Sequence, residues 1–334
     1  MRQFLRAVAA GSLVVMTGNA LAQDTAAAPH EARTKLQYVL ISFDGAHDNS
    51  LWARSLKLAD DTGARFTYFL SCVYLLGPDD KRHYQPPGMK AGRSNVGFAT
   101  STDDARTRLD HVWSAYQAGH EIASHGCGHF DGKDWSRADW SAEFKQFDDI
   151  LARGWQINGL TAPAGWDEFA RKGIHGFRAP YLSSNAGLIA ALKERGFSYD
   201  SSGVTRGPQN PTFEGNLAAF GLPMIPEGPK SRRIISMDYN LFVRHSAGID
   251  RPREADTFAE RTYQAFADAF EGEYGDERRP VQMGFHFTLM NGGAYWNALE
   301  RFARQYCVKP DVACVSYSDW LRANPNASAK TAGG

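Results

Sequence analysis

Two histidines are spaced in this chain so that they could bind a metal ion. His125 and His129 lie four residues apart, directly after the short apolar segment 121–124. Neutral imidazole is a good zinc ligand, and catalytic zinc sites commonly combine two histidines with one carboxylate and a water. Gly126 and Gly128 favour a loop that leaves a strand, where the backbone can turn both rings to one side. The spacing alone does not separate a metal site from two ordinary loop histidines.

The other residues that could do chemistry each follow an apolar segment typical of a buried strand. They are Asp44, Arg178, Asp238 and His286. Strand, loop and helix patterns repeat about seven times, which predicts an α/β fold with a parallel sheet. In a (β/α) barrel all these residues would lie on the carboxyl-terminal rim, where such barrels place their active sites. An open doubly wound sheet is less favoured, because the polar residues come from nearly every strand rather than from one crevice.

Two long polar stretches interrupt this repeat. Residues 77–100 and 202–233 are rich in Pro and Gly and are too long for simple connections, so we expect them to be loops that shape a substrate groove. Residues 234–237 are then predicted as the sixth strand of the sheet, ending at Asp238.

The composition excludes a strongly charged partner. The 334 residues are 43% hydrophobic, and basic and acidic residues are equal at 37 each, so a nucleic-acid partner is not expected. Residues 1–22 have the basic start, apolar run and Ala-Leu-Ala site of a signal peptide, which predicts a secreted or periplasmic protein with no membrane span after cleavage. A retained membrane anchor is the alternative. We expect a flexible lead-in over 23–36, one domain over 37–323 and a loose tail over 324–334.

Four cysteines accompany this export signal, and an oxidising compartment favours disulfides. Cys307 and Cys314 are close enough in sequence to close a small loop, and Cys72 and Cys127 each follow a predicted strand. Connectivity cannot be read from sequence. The alternative role of Cys127 as a third metal ligand is less favoured, because an exported thiolate would be prone to oxidation.

Four short motifs occur in an order that resembles the polysaccharide deacetylases of carbohydrate esterase family 4. They are Ser42-Phe43-Asp44-Gly45, His125-x-x-x-His129, Arg178-x-Pro180-Tyr181 and the late His286, and the resemblance runs from about Tyr38 to Trp320. It implies a distorted (β/α) barrel and a hydrolase that removes acetyl groups from glycans with a divalent metal ion, expected to be zinc.

The resemblance also implies residue roles. His125 and His129 correspond to metal ligands, Asp44 to the general base and Arg178 to the residue that positions it. His286 corresponds to the general acid that protonates the leaving amine, and the backbone N–H of Tyr181 to an oxyanion donor. We add Asp238 as a carboxylate that could tune Arg178 or His286.

One departure from the family pattern concerns the third metal ligand. The family usually shows two adjacent aspartates after the first strand, whereas Asp44 is followed here by Gly45-Ala46-His47-Asp48. We expect Asp48 to be the third ligand, with His47 less favoured; Asp48 could instead be a solvated carboxylate or a helix cap. Asp44 could also be the ligand, with a base from elsewhere.

The sequence therefore predicts a metal-dependent deacetylase of an N-acetylated polysaccharide, such as peptidoglycan, a chitin-like oligomer or an exopolysaccharide. Two alternatives stay open: a catalytically silent glycan-binding relative, and a hydrolase of the same fold that cleaves O-acetyl esters or small amides.

Overall fold

A curled, mostly parallel sheet organises the chain in the computed structural model, which describes residues 35–327. The strands are β1 (Gln37–Gly45), β2 (Thr67–Leu70), β3 (Glu121–Ser124), β4 (Gly176–Phe177), β5 (Tyr199–Thr205), β6 (Thr212–Glu214), β7 (Leu217–Glu227), β8 (Arg232–Ile235), β9 (Val281–His286) and β10 (Val312–Cys314). The α-helices are α1 (Asn49–Thr62), α2 (Thr102–Gln117), α3 (Arg137–Ile157), α4 (Trp166–Lys172), α5 (Ala186–Arg195), α6 (Asp238–Ser246), α7 (Ala255–Tyr274), α8 (Met290–Tyr306) and α9 (Tyr317–Ala323).

The sheet is a distorted (β/α) half-barrel, as the sequence predicts. β1 pairs in parallel with β2, β9 and β10, and the parallel pairing continues from β2 through β3, β4 and β5 to β7. Helices flank this sheet, and the carboxyl ends of its parallel strands meet on one rim. β1 is buried along almost its whole length, which explains its nearly continuous apolar sequence.

The stretch 202–233 is not the long loop that we expect from its composition. It contains the end of β5, the hairpin of β6 and β7, and the start of β8, and β7 is the longest strand of the sheet with 11 residues. The prediction of a strand of the parallel sheet over 234–237 is only partly correct, because β8 ends at Ile235 and pairs antiparallel to β7. Only Met237 makes a parallel bridge, to Gly284 in β9. Pairing with β5 stabilises β7, although the prolines of this segment hide its strand pattern in the sequence.

The stretch 77–100 agrees better with its prediction. In the structure it holds a single 3₁₀ turn, Lys81–His83, and otherwise runs as an irregular segment with buried anchors such as Tyr84. Its end is fixed by Ser101, whose side chain caps α2 by accepting a hydrogen bond from the Asp104 N–H.

Both cysteine pairs form disulfides, Cys72–Cys127 and Cys307–Cys314. Cys127 is therefore not available as a metal ligand. The first bridge ties the segment after β2 to the loop after β3, the loop that carries His125 and His129.

The expected signal peptide, most of the lead-in and the end of the tail lie outside the described residues. Within 35–327, no helix is both long and apolar enough to cross a membrane.

Candidate functional site

The carboxyl ends of the parallel strands surround a cavity of about 580 Å³ on the predicted rim. Asp44, one residue before the end of β1, lies opposite His286 of β9 in the register of the two strands. His125 follows β3, and Arg178 follows the neighbouring β4. The predicted residues among those that line the cavity are Asp44, His125, His129, Tyr181 and His286. The ends of four strands and the segments after them thus bring together side chains that are up to 242 positions apart in the chain.

Asp44 is held by a buried ion pair with Arg178. The Arg178 Nη1 donates to Asp44 Oδ1 at 2.7 Å and to Ser42 Oγ at 2.9 Å. Its other N–H groups donate to Ser201, to the backbone oxygen at 3.2 Å and to Oγ at 3.0 Å, and to the Tyr317 hydroxyl at 2.9 Å. The guanidinium is completely buried, so it is fixed in position by these partners.

This pairing keeps the Asp44 carboxyl ionised. Burial acts to raise the pKa of Asp44, but the Arg178 charge, with His125 and His286, lowers it below its usual value. The Oδ1 atom carries the bond to Arg178, so Oδ2 is the oxygen that can accept a proton from a molecule in the cavity. A positioned carboxylate of this kind can act as a general base.

His286 is paired with Asp238 beneath the cavity wall. Its Nδ1 lies 2.6 Å from Asp238 Oδ1, and its backbone N–H donates to Oδ2 at 2.7 Å. Burial acts to lower the pKa of His286, but the completely buried Asp238 outweighs it and raises that pKa above its usual value. Because Nδ1 faces the carboxylate, Nε2 is the nitrogen that can serve the cavity.

His125 and His129 form a second pair of rings in the cavity wall. The His125 Nδ1 lies 2.8 Å from the carbonyl oxygen of Arg178; a carbonyl only accepts, so this nitrogen carries the ring proton and Nε2 keeps a lone pair. Burial lowers the pKa of His125 to about 3, so the ring is neutral. The His129 Nδ1 is buried and has no hydrogen-bond partner within residues 35–327.

The loop that carries these rings is braced from several sides. His129 has the left-handed backbone conformation, with φ of 54°, which is uncommon for a residue other than glycine. Asn95 binds the backbone of this loop. Its N–H donates to the Gly128 oxygen at 2.8 Å, and its side-chain amide donates to the His129 oxygen at 3.1 Å. The buried Glu143 accepts from the Cys127 N–H at 2.7 Å. The irregular stretch 77–100 therefore supports the site, as well as closing one side of it through Val96.

Tyr181 is at the mouth of the cavity in an unusual turn. Its φ is 59°, its side chain is 60% exposed, and its ring centre lies 4.9 Å from that of His129. Beyond its own 3₁₀ turn, its backbone N–H makes no hydrogen bond to the described residues.

The fold is shared with several solved structures. A protein assigned as a polysaccharide deacetylase from Pseudomonas aeruginosa PAO1 has a TM-score of 0.53 at 16% identity, over 86% of this chain and 92% of that one. Another, from Mycobacterium smegmatis, has a TM-score of 0.51 at 19% identity, over 88% and 93%. The chain has the polysaccharide deacetylase fold. A Puue allantoinase shares it, with a TM-score of 0.53 at 15% identity over 93% and 98%.

These likenesses concern the fold alone. No protein-family sequence model matches the chain, and no curated protein matches it. The chemistry of this chain therefore depends on the residues that line its own cavity.

The two imidazoles fit one divalent metal ion. Their ring centres are 5.1 Å apart and their planes differ by 61°. Two imidazoles on one tetrahedral zinc ion have centres roughly 5 Å apart, given Zn–N distances of about 2.0–2.1 Å. The unpartnered Nδ1 of His129 and the free Nε2 of His125 are suitable donors. Both histidines thus have the chemistry and the spacing of metal ligands.

No third metal-binding side chain joins His125 and His129 in the described part of the chain. Across 35–327, no three His, Cys, Asp or Glu side chains are grouped so that they could hold a metal. Asp48 is the N-cap of α1: its Oδ1 accepts from the Leu51 N–H at 2.9 Å and from the Ser50 hydroxyl at 2.5 Å. It is not among the residues that line the cavity, whereas the neighbouring His47 is.

Sequence reasoning missed several residues of the site. Ser42, Ser201 and Tyr317 hold Arg178, yet only Ser42 lies in a motif, and Tyr317 comes from α9, which the sequence pattern does not predict. The apolar walls come from residues whose side chains resemble those of any core: Val96, Leu182, Ile235, Met237 and Phe287. Asp238 follows an apolar segment, and of the two partners that the sequence leaves open for it, Arg178 and His286, the structure pairs it with His286.

Proposed function

We propose that this protein is a hydrolase that removes acetyl groups from an N-acetylated polysaccharide, such as peptidoglycan, a chitin-like oligomer or an exopolysaccharide. One observation carries the proposal: Asp44 with Arg178, and His286 with Asp238, face the same cavity from register-paired positions of β1 and β9. Hydrolysis of an amide needs a base that takes a proton from water and an acid that gives a proton to the leaving amine. The pKa of Asp44 is lowered and the pKa of His286 is raised, so the two groups differ in the way that these roles require.

In this mechanism Asp44 removes a proton from water. The water oxygen forms a bond to the acetyl carbonyl carbon, and the proton goes to Asp44 Oδ2, the oxygen not engaged by Arg178. Arg178 keeps the carboxylate ionised and aimed at the cavity. A general base in such a position typically contributes about 10²–10⁴-fold in rate.

His286 then protonates the leaving nitrogen. Asp238 holds Nδ1, so the proton that Nε2 donates goes to the amine as the carbon–nitrogen bond breaks. The products are acetate and the free amino sugar. The backbone N–H of Tyr181 would donate to the oxyanion of the tetrahedral intermediate, because the turn leaves it without a partner outside that turn.

His125 and His129 would hold a divalent metal ion, expected to be zinc. When bound, such an ion supplies Lewis acidity at the acetyl carbonyl. With two protein ligands from the described residues, we expect weaker retention than at a site with three. Asp48 would become the third ligand only if it left the N-terminus of α1.

The test is acetate release from an N-acetylated chitooligosaccharide and from an O-acetylated glycan, with metal content measured on the same samples. We expect the wild type to release acetate from the first substrate, to lose activity in EDTA and to recover it with zinc. Asp44→Asn should lower kcat by about 10²–10⁴-fold. Asp60→Asn is the matched control, since Asp60 is an exposed carboxylate of α1 that does not line the cavity.

A second candidate is a glycan-binding protein without turnover. The lack of a third donor beside His125 and His129 in the described residues favours it. Glycan binding with no acetate release from either substrate, with zinc added, would support this candidate and reject the hydrolase. Release from the O-acetylated glycan alone would instead indicate an esterase.

A further inference from the structure

His47 lies in the wall of the cavity but takes no part in the proposed chemistry. We propose that His47 is a substrate-binding residue, which hydrogen-bonds a hydroxyl group of the sugar unit that enters the cavity. The inference rests on the proposed glycan substrate and adds a determinant of its recognition.

The backbone after β1 aims this side chain at the cavity. Gly45 and Ala46 both have left-handed conformations, with φ of 84° and 52°. They turn the chain sharply between Asp44, at the end of the strand, and Asp48, which caps α1. His47 is the residue that this turn leaves at the cavity, three positions after the proposed base.

The ring of His47 is held in place by Tyr74. The two ring centres are 5.2 Å apart and the planes differ by 32°, so one face of the imidazole is covered. Tyr74 is itself buried and lines the cavity. A ring fixed by stacking loses little conformational freedom when it binds a ligand.

Both nitrogens of this ring have unused hydrogen-bonding capacity. Within residues 35–327, neither ring nitrogen of His47 makes a hydrogen bond. Neither nitrogen is among the fully buried side-chain atoms that lack a partner. Other histidines differ: His120 Nδ1 accepts from the Phe66 N–H at 3.0 Å, and His245 Nε2 lies 3.1 Å from Glu227. An imidazole at a cavity surface can both donate to and accept from a hydroxyl group.

The charges around the cavity favour an uncharged partner. Its described lining contains no Lys or Arg. Arg178 is completely buried and already has five hydrogen bonds, and the ionised Asp44 would repel a second anion. An anionic sugar substituent would therefore meet no Lys or Arg in the described lining, and the cationic His286 there is already paired with Asp238. A sugar hydroxyl is the group that His47 can bind.

The test compares His47→Phe with His47→Gln on an N-acetylated chitooligosaccharide. Phenylalanine keeps a ring for Tyr74 but has no polar atom, whereas glutamine keeps a donor and an acceptor. His111→Phe is the matched control, because the His111 ring also packs on an aromatic residue, Trp52, and does not line the cavity. Binding is measured by calorimetry in EDTA, and KM and kcat by acetate release.

We expect His47→Phe to raise Kd and KM about tenfold, as for one lost hydrogen bond, with a much smaller change in kcat. His47→Gln should recover most of that loss, and His111→Phe should bind like the wild type. Unchanged binding by His47→Phe would overturn the inference, as would equal losses in His47→Phe and His47→Gln, or a change in kcat without one in Kd. If the wild type binds the glycan but releases no acetate, the deacetylase proposal fails while the Kd comparison still decides the role of His47.

Discussion

Neutralising Asp44 should destabilise the protein as well as inactivate it. Asp44→Asn keeps the shape of the side chain and one oxygen acceptor, but it removes the negative charge beside Arg178. The guanidinium is completely buried, and its remaining partners are hydroxyl groups and one carbonyl oxygen. The variant therefore contains a buried cation with no anion next to it.

The size of the effect follows from the geometry of the pair. The Arg178 nitrogen lies 2.7 Å from the Asp44 oxygen, which places the centres of charge about 4 Å apart; at an effective dielectric constant of 20 their attraction is about 4 kcal/mol. Removal of one partner of a buried ion pair typically costs about 3–5 kcal/mol. We expect the free energy of unfolding of Asp44→Asn to fall by that amount at pH 7.

The effect should depend on pH in a defined direction. The folded protein lowers the pKa of Asp44, so the ionised carboxylate stabilises the fold above the usual pKa of an aspartate. That stabilisation is lost as the pH falls through the lowered pKa of the folded state. The Asn variant lacks this contribution, so the difference between wild type and variant should shrink in acid.

Urea denaturation in EDTA measures this effect without a contribution from metal binding. Asp60→Asn should match the wild type. The double variant Asp44→Asn/Arg178→Met leaves no buried charge unpaired. Its loss of unfolding free energy should therefore be smaller than the sum of the losses measured for the two single variants. An Asp44→Asn protein within about 1 kcal/mol of the wild type at pH 7 would refute the reasoning about this buried pair.

Three further predictions concern the surroundings of the site. Asp238→Asn removes the carboxylate that raises the pKa of His286, so the alkaline limb of the kcat/KM profile should move to lower pH; an unmoved limb would contradict the acid assignment. Asp48→Asn should keep both stability and metal content, whereas Asp48→Ala should cost about 1 kcal/mol of stability by urea denaturation; metal loss in both variants would identify Asp48 as a ligand. Glu143→Ala leaves the buried N–H of Cys127 and a tyrosine hydroxyl unpaired. It should lower the free energy of unfolding by about 2–4 kcal/mol and reduce the metal content. A metal content equal to that of the wild type would disprove the bracing role of Glu143.

The strands that carry the site could be predicted because each is locally apolar. The apolar segment before His125 forms β3, and the apolar segments before Asp44 and His286 form most of β1 and β9. Parallel strands share one rim, so the convergence of Asp44, His125, Arg178 and His286 followed from topology without any distance.

β7 could not be recognised by the same rule. Pro223 and Pro226 interrupt its apolar pattern, and its stability comes from strands on both sides of it, which no local pattern shows. The turn before it did carry a signal: only Gly215 and Asn216 separate β6 from β7, a spacing typical of a tight hairpin.

Asp48 and His47 show which part of the site could not be predicted from the sequence. Both stand a few residues after Asp44, and both are plausible donors by residue type. What separates them is the start of α1, because a helix that begins at Asn49 turns the Asp48 carboxylate towards its own N–H groups. That start depends on the two left-handed residues before it, of which only the glycine could be anticipated.

The bridge between Cys72 and Cys127 has a consequence for how the protein must be made. Cys127 stands midway in sequence between His125 and His129, and the bond to Cys72 makes its sulfur unavailable as a thiolate. In a compartment that keeps thiols reduced, the same loop would present a thiol and two imidazoles within five residues, a set of donors that soft metals prefer. Maturation order therefore matters: a preparation oxidised before it meets metal, and one loaded while still reduced, would be chemically different proteins with one sequence.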